Sequence, residues 1–255
     1  HTYSIGVDIS EGVGEASSVI QVLDITDLTD IEQVAVYCSN TISPYNFTTK
    51  LLEILNQWGN PPALIERNNC GAQVVDSLRN DHGYENIVNY TPNRNSNADR
   101  PGVIAHTNTK YKGVVNMKYW LSEVYAVTLR DNATLEELKT FVRYPNGTWK
   151  AMQGLNTRDD RVMSLIWALM ILETDITEQF FEIELTDKNN KPAAIKSLDY
   201  GLNSFSNTMS LYNDETKTNA STLPIFMDSE YMPGSTPGTG DAGIDELQEQ
   251  GWTFL

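Results

Sequence analysis

The first forty residues alternate between apolar runs and short polar links, a pattern that predicts three successive strands. The runs cover Thr2–Ile9, Ser17–Ile25 and Glu32–Ser39. The first link, SEGVGEA, is short and contains glycine, as in a hairpin, and the second, around LTD, has turn character. We therefore expect an antiparallel three-strand meander at the start of the chain.

Helical spacing of apolar residues begins after the third strand, over Phe47–Trp58, and the motif GNPP ends it. A buried strand, Ala63–Glu66, and a helix, Gly71–Asn80, are predicted next. The remaining pattern predicts a strand at Glu85–Tyr90, a polar loop at Thr91–Pro101 and a helix at Thr109–Leu129. A hairpin with arms Leu138–Tyr144 and Thr148–Gln153 around an Asn-Gly turn is predicted next, and a helix at Asp159–Glu173 follows it.

This order of elements predicts an α/β fold in which the antiparallel meander is extended by parallel strands through helical crossovers. We expect residues 1–228 to form this domain. Residues 229–255 are rich in Gly, Pro, Ser, Thr and acids, and they are predicted to form an acidic C-terminal tail. Ligands in open α/β sheets bind beyond the carboxyl ends of strands, so acidic residues at those ends are of interest.

Three acidic positions follow predicted strands or open a predicted helix. Asp8 ends TYSIGVD, Glu66 ends PPALIE, and Asp160, with its neighbour Asp159, opens DDRVMSLIWALMI. Each has a simple structural explanation: Asp8 as a turn former, Glu66 as an exposed strand end, and the Asp pair as a helix cap. Taken singly, none of these acids indicates chemistry.

Taken together, the acids have a sharper interpretation. Carboxylates from separate elements that converge on one crevice repel each other unless a divalent metal neutralises them. A two-metal site holds ions about 3.5–4 Å apart, and oxygen ligands favour Mg²⁺ or Mn²⁺. An RNase H-like sheet supplies such acids from its first strand, its fourth strand and a late helix, which is the order found here. The pattern therefore predicts a nuclease that uses two Mg²⁺ or Mn²⁺ ions.

Composition changes this picture in only a few respects. The net charge of −16 argues at first sight against nucleic-acid binding. Basic residues nevertheless gather in the middle of the chain, where they form either a DNA-facing surface or a solvated basic face on an acidic protein. The two cysteines form neither a disulfide framework nor a zinc site, no apolar stretch approaches membrane length, and no P-loop is present. The candidate DNA-binding residues are Arg94, Arg100, Lys110, Lys112, Arg143 and Lys150.

Four segments together resemble the nuclease domain of the large terminase subunit of tailed bacteriophages, in the T-even-like group: HTYSIGVDISEGVGE, CSNTISP, ALIERNNCG and RDDRVMSLIWAL. The resemblance covers Thr2–Glu173. It implies an RNase H-like fold and a metal-dependent endonuclease that cuts concatemeric viral DNA during headful packaging. It also implies an ATPase motor domain in the full-length protein and a portal or procapsid partner in the cytoplasm of the infected bacterial host.

The resemblance also assigns roles to single residues. It implies that Asp8, Glu66 and Asp160 are the catalytic, metal-binding acids and that Asp159 is an alternate ligand or a cap. A further acid that the family often carries in the first turn is replaced here by Ala16, with Glu11 and Glu15 nearby, so a fourth ligand stays open. Asn68 and Asn69, just past Glu66, are candidates for positioning phosphate or water, or for capping the next helix.

Two alternatives remain at this stage. Another RNase H-like nuclease, such as a junction resolvase or an RNA–DNA hybrid nuclease, differs in the substrate that it cuts. A non-catalytic portal-docking module, in which the acids only cap and solvate, differs in binding no metal near the acids.

Overall fold

The computed structural model of the chain describes residues 1–90, 100–154 and 157–173, together with the backbone of 252–254. The strands are β1 Tyr3–Asp8, β2 Ser18–Asp24, β3 Ile31–Ser39, β4 Ala63–Ile65, β5 Val127–Thr128, β6 Phe141–Arg143, β7 Trp149–Ala151 and β8 Trp252–Phe254. The helices are α1 Pro44–Gln57, α2 Gly71–Asn80, α3 Thr107–Lys118, α4 Asn132–Thr140 and α5 Asp160–Met170, and Tyr119–Glu123 continue α3 as a π-helical turn.

The main sheet has the order β4-β1-β2-β3-β5. The β1-β2-β3 meander is antiparallel, as the sequence predicts, and β4 lies parallel to β1 with Val7 opposite Ile65. The mixed sheet predicted from the sequence is therefore confirmed. Because β1 and β4 run in the same direction, the residues that follow them emerge at the same edge of the sheet.

Two short strands share the outer edge of β3. β5 runs parallel to the start of β3, at Ile31 and Glu32, and β8 pairs antiparallel with Ala35–Tyr37. β8 belongs to residues 229–255, which the sequence predicts to be a tail, so three residues of that segment add a strand to the sheet.

The two faces of the sheet carry separate cores. Side chains alternate along β1, so Ile5 and Val7 pack with α1 and α2 on one face. The opposite core contains α3 and α5, and every residue of Val162–Met170 in α5 is buried. A helix that is apolar all round needs partners on every side. α5 finds them in β1, β2, β4, α3 and α4.

Three predicted elements differ in the structure. The helix predicted at Thr109–Leu129 ends as α3 at Lys118, and its last part forms the π-helical turn and β5. α4 was not predicted: Asp131 caps it by accepting hydrogen bonds from the N–H groups of Ala133 and Thr134, so the hairpin arm begins only at Phe141.

The third difference concerns residues 85–90, where the predicted strand forms only isolated bridges. The loop predicted at Thr91–Pro101 lies largely outside the described residues. The β6–β7 hairpin is confirmed, and Gly147 in its turn has a φ of 83°. None of the helices in the described part of the chain has the length and apolarity needed to cross a membrane.

Candidate metal centre

Asp8 and Glu66 emerge side by side at the carboxyl ends of two neighbouring parallel strands. Asp8 is the last residue of β1, opposite Val19 of β2. Glu66 directly follows β4, and its backbone N–H donates to the carbonyl of Val7 over 3.0 Å. The strand register alone therefore brings the first two predicted acids to one place.

Helix α5 brings the third acid to the same edge and also holds the second. Asp160 opens the helix and Trp167 lies seven residues later, on the same face. The indole Nε1 of Trp167 donates to Oε2 of Glu66 over 3.1 Å. The backbone N–H of Ser17 donates to Oδ2 of Asp160 over 2.7 Å. One helix face thus connects two acids that come from separate parts of the chain.

α5 reaches this position because β1 carries a glycine where the helix crosses it. A Cβ atom on Gly6 would lie 1.9 Å from the carbonyl oxygen of Ser164 and 2.3 Å from the backbone nitrogen of Ala168. No side chain fits in that space. The helix axis therefore lies closer to the sheet than any other residue at this position allows.

The segment after Glu66 explains the spacing E-x-N-x-x-G. A Cβ atom on Gly71 would lie 2.0 Å from the Glu66 carbonyl oxygen, so only glycine lets α2 begin there. The side-chain amide of Asn68 donates to the carbonyl of Ala105 over 3.1 Å and accepts from its N–H over 2.9 Å. Asn68 thus ties the Glu66 segment to the residues that precede α3, and the N-cap of α2 has no side-chain hydrogen bond; a role of Asn68 in positioning phosphate or water stays a prediction.

Burial and mutual repulsion set the ionisation of the acids. Burial raises the pKa of Asp8 well above its usual range, and the negative charges of Glu66 and Asp160 raise it further. The pKa of Glu66 is raised by burial and lowered by the Lys110 charge and by hydrogen bonds with Trp167 and Asp8. Without a bound cation, Asp8 and Glu66 therefore bind protons at a higher pH than free carboxyl groups do.

The structure does not use the Asp pair as a helix cap. Asp159 occupies the N-cap position of α5, yet its side chain makes no capping hydrogen bond, and the Asp160 carboxylate accepts from Ser17 instead. The charge of Asp159 raises the pKa of Asp8, Glu66 and Asp160. It therefore adds to the negative charge at this edge of the sheet.

The donor set, which consists of carboxylate oxygens, suits hard divalent cations. Among the described residues, no three His, Cys, Asp or Glu side chains come together closely enough to enclose one ion. Asp8 instead interacts electrostatically with Glu66 and with Asp160. Mg²⁺ keeps several waters and binds proteins through one or two carboxylates, so such pairs fit it. A divalent cation would also remove the repulsion that raises the Asp8 pKa.

The basic residues predicted to face DNA occupy three regions. Lys110, on α3, lies near enough to Asp8 and Glu66 for its charge to lower the pKa of each. On the β6–β7 hairpin, Arg143 lies over the Tyr111 ring and Lys150 over the Tyr144 ring. Lys112 is exposed on α3, Arg100 is exposed at the start of its described segment, and Arg94 lies outside the described residues.

A crevice of about 490 Å³ lies beside the Asp160 end of α5. Its lining includes Ser17, Arg158, Arg161 and Glu137, none of which the sequence analysis singled out. Glu137, on α4, accepts from the backbone N–H of Arg161 over 2.7 Å. This bond joins α4 to the first turn of α5.

Burial raises the pKa of Glu137 to about 7, although bonds from Arg161 oppose the shift. The folded protein therefore holds a proton that the unfolded chain releases near pH 4.5, so stability should fall as pH rises from about 4.5 to 7. We expect Glu137→Gln to remove about 1 kcal/mol per pH unit of this slope, measured by chemical denaturation. Glu136→Gln, on the exposed side of α4, should keep the slope; equal slopes in Glu137→Gln and wild type would contradict the assignment.

A mixed sheet whose first strand, fourth strand and late helix bring acids to one edge defines the RNase H-like class of fold. Residues 5–172 match the family model described as the terminase RNase H-like domain, and the chain belongs to this family. The large terminase nuclease from thermophilic phage G20c is similar in structure. Its cobalt-bound form has a TM-score of 0.51 at 22% identity, and its magnesium-bound form has a TM-score of 0.50 at 21% identity. Each comparison covers 67% of this chain and 81% of that chain, and at this identity the likeness concerns the fold.

Proposed function

We propose that this chain is a Mg²⁺- or Mn²⁺-dependent DNA endonuclease that hydrolyses phosphodiester bonds of concatemeric viral DNA during headful genome packaging. The observation that carries the proposal is the meeting of Asp8, Glu66 and Asp160, from β1, the end of β4 and α5, at one edge of the sheet. Acids buried against one another destabilise the fold at neutral pH unless a cation is bound. Membership of the terminase family supports the same conclusion.

In this proposal Asp8, Glu66 and Asp160 would hold two ions, and Asp159 is an alternate ligand. Bound divalent ions lower the pKa of a coordinated water and neutralise charge on the phosphate that is cut. The protein's own contribution is orientation. Trp167 donates to one oxygen of Glu66 and the Ser17 N–H donates to one oxygen of Asp160, which fixes the orientation of each carboxylate.

The DNA duplex would lie across α3 and the β6–β7 hairpin. Lys110 and Lys112 are on the helix; on the hairpin, Arg143 lies over Tyr111 of α3, and Lys150 lies on the opposite face, over Tyr144. Contacts of this kind go to phosphates and carry no sequence information, so we expect cleavage with little sequence preference. The salt dependence of DNA binding by Arg143→Ala, compared with wild type, tests this surface: an unchanged dependence would remove Arg143 from it.

The wider setting is also a proposal. The similar nuclease from phage G20c has been crystallised with magnesium and with cobalt, which supports the choice of divalent cation. In a terminase large subunit the nuclease acts beside an ATPase motor, and we propose that the full-length protein carries this motor and docks on the procapsid portal in the host cytoplasm.

Cleavage of supercoiled plasmid by the purified chain tests the function. We expect nicked and linear products with Mg²⁺ or Mn²⁺ and none after chelation. Linear duplex, four-way junction and RNA–DNA hybrid substrates, compared side by side, separate a packaging nuclease from a resolvase or hybrid nuclease. Calorimetry with Mn²⁺ addresses the portal-docking module, because absence of both binding and cleavage would overturn the nuclease proposal.

A further inference from the structure

The β1–β2 loop, residues 9–17, connects two of the three acids. It starts directly after Asp8, and Ser17 at its end donates its N–H to Asp160 over 2.7 Å. The base of the loop is closed by Ser10, whose N–H donates to the Ser18 hydroxyl over 3.0 Å. The position of this loop therefore determines where the Asp160 carboxylate points relative to Asp8.

Arg158 holds this loop from the side of α5. Its Nη1 donates to the Ser17 hydroxyl over 2.9 Å, and its Nη2 donates to the Gly14 carbonyl over 3.3 Å. Within the described part of the chain, no carboxylate lies within 4.0 Å of its guanidinium nitrogens. The hydrogen bonds of this charged side chain thus go to the loop, and its positive charge also lowers the pKa of Asp160.

The opposite side of the loop rests on the connection between β3 and α1. The Gly14 N–H donates to the Asn40 carbonyl over 2.9 Å, and the Asn40 side chain donates back to Gly14 over 3.3 Å. Gly12 has a φ of 74°, and a Cβ atom there would lie 2.2 Å from the Ile42 carbonyl oxygen. Arg158 completes this arrangement by fixing the loop from the remaining side.

We propose that Arg158 is a positioning residue of the metal centre: it holds the β1–β2 loop so that the Ser17 N–H fixes one oxygen of Asp160 and leaves the other for an ion. This inference rests on the proposed nuclease function. Ala16, at the place where the family often has an acid, has no side-chain oxygen, although Glu11 and Glu15 lie in the same loop. The contact of this loop with Asp160 is made by the Ser17 N–H, and Arg158 is the residue that keeps that N–H in place.

The test uses Arg158→Ala and Arg158→Lys in the whole chain, with Arg79→Ala, an exposed arginine at the end of α2, as the matched control. In the metal-free protein we expect amide hydrogen exchange at residues 9–17 to be about tenfold faster in Arg158→Ala, because exchange reports local opening. We also expect the Mg²⁺ concentration for half-maximal cleavage to rise about tenfold, as is usual for residues that orient metal ligands.

Two further readouts separate positioning from other roles. First, the KM for DNA should be unchanged in Arg158→Ala. Second, added guanidinium ion should partly restore the wild-type Mg²⁺ dependence of Arg158→Ala. It should not restore that of a Ser17→Pro variant, which lacks the N–H itself. A raised KM for DNA with unchanged Mg²⁺ dependence would make Arg158 a phosphate ligand and overturn the proposal.

Failure of the positioning role of Arg158 can be distinguished from failure of the proposed nuclease function. If the wild-type chain neither binds Mn²⁺ nor cuts DNA, the function fails, while hydrogen exchange at the loop still measures what Arg158 holds. Unchanged exchange in both Arg158 variants, in protein whose thermal unfolding matches wild type, would overturn the positioning role whatever the activity.

Discussion

Replacing Asp8 with Asn is expected to abolish metal-dependent DNA cleavage and, in the metal-free protein, to increase the free energy of unfolding at neutral pH. Cleavage should fall by roughly three orders of magnitude or more, because Asp8 is the acid that interacts with both Glu66 and Asp160 and would hold the proposed ions with them. Stability should rise because the pKa of Asp8 is raised by burial and by Glu66 and Asp160, so its ionised form is unfavourable in the fold.

The sign of the stability change follows from the direction of the pKa shift. A carboxyl with a raised folded pKa contributes stability below its unfolded pKa, near 4, and loses it as pH rises through the folded value. Asn cannot ionise, so the variant should lack this loss and gain on the order of 1 kcal/mol at pH 8.

Chemical denaturation in chelator at pH 5 and pH 8 measures the stability change, and plasmid cleavage measures activity. Asp30→Asn, which changes an exposed carboxylate between β2 and β3, is the matched control and should alter neither. An Asp8→Asn protein that cuts DNA at the wild-type rate would remove Asp8 from the site. A variant less stable than wild type at pH 8 would contradict the electrostatic account.

Replacing Gly6 with Ala is expected to lower the free energy of unfolding by about 3 kcal/mol or more and to reduce cleavage. The added Cβ would lie 1.9 Å from the carbonyl oxygen of Ser164 and 2.3 Å from the nitrogen of Ala168, both backbone atoms that no rotamer change can move. α5 must therefore shift away from the sheet. Because α5 carries Asp160 and Trp167, the shift would displace one acid and release the other.

Thermal unfolding measures the first effect, with a Tm lowered by roughly 6–12 °C for a domain of this size. Gly154→Ala is the control, since the nearest atom to its added Cβ is the methyl group of Thr157 at 3.9 Å. It should remain within about 0.5 kcal/mol of wild type. A Gly6→Ala protein as stable and as active as wild type would show that α5 does not depend on this close approach.

The parts of the fold that local patterns specify could be predicted from the sequence. Strand alternation specifies the meander, and a short apolar run followed by Glu66 specifies a buried strand with an acid at its end. The order of the acids along an RNase H-like chain then indicated a shared edge. The topology predicts that these acids lie close together, because the carboxyl ends of neighbouring parallel strands lie at the same edge of a sheet.

The supporting contacts could not be predicted, because they have no local signature. Trp167 in an apolar helix is indistinguishable from a core residue until its indole is seen to donate to Glu66. The Ser17 contact is made by a backbone N–H, which every residue except proline possesses. Asp131 precedes a run of helix formers and so indicates the start of α4. The hairpin pattern that follows predicts the start of the strand too early, at Leu138, inside this helix.

The same arrangement has a consequence for how the site is lost. Binding sites are commonly carried on loops that open without disturbing the rest of a protein. Here the acids come from the first strand, the end of the fourth strand and the last described helix, and Val162–Met170 of that helix are buried against β1, β2, β4, α3 and α4. The elements that carry the acids are thus part of the same core. We therefore expect the proposed cutting activity to be lost together with the fold of the whole domain.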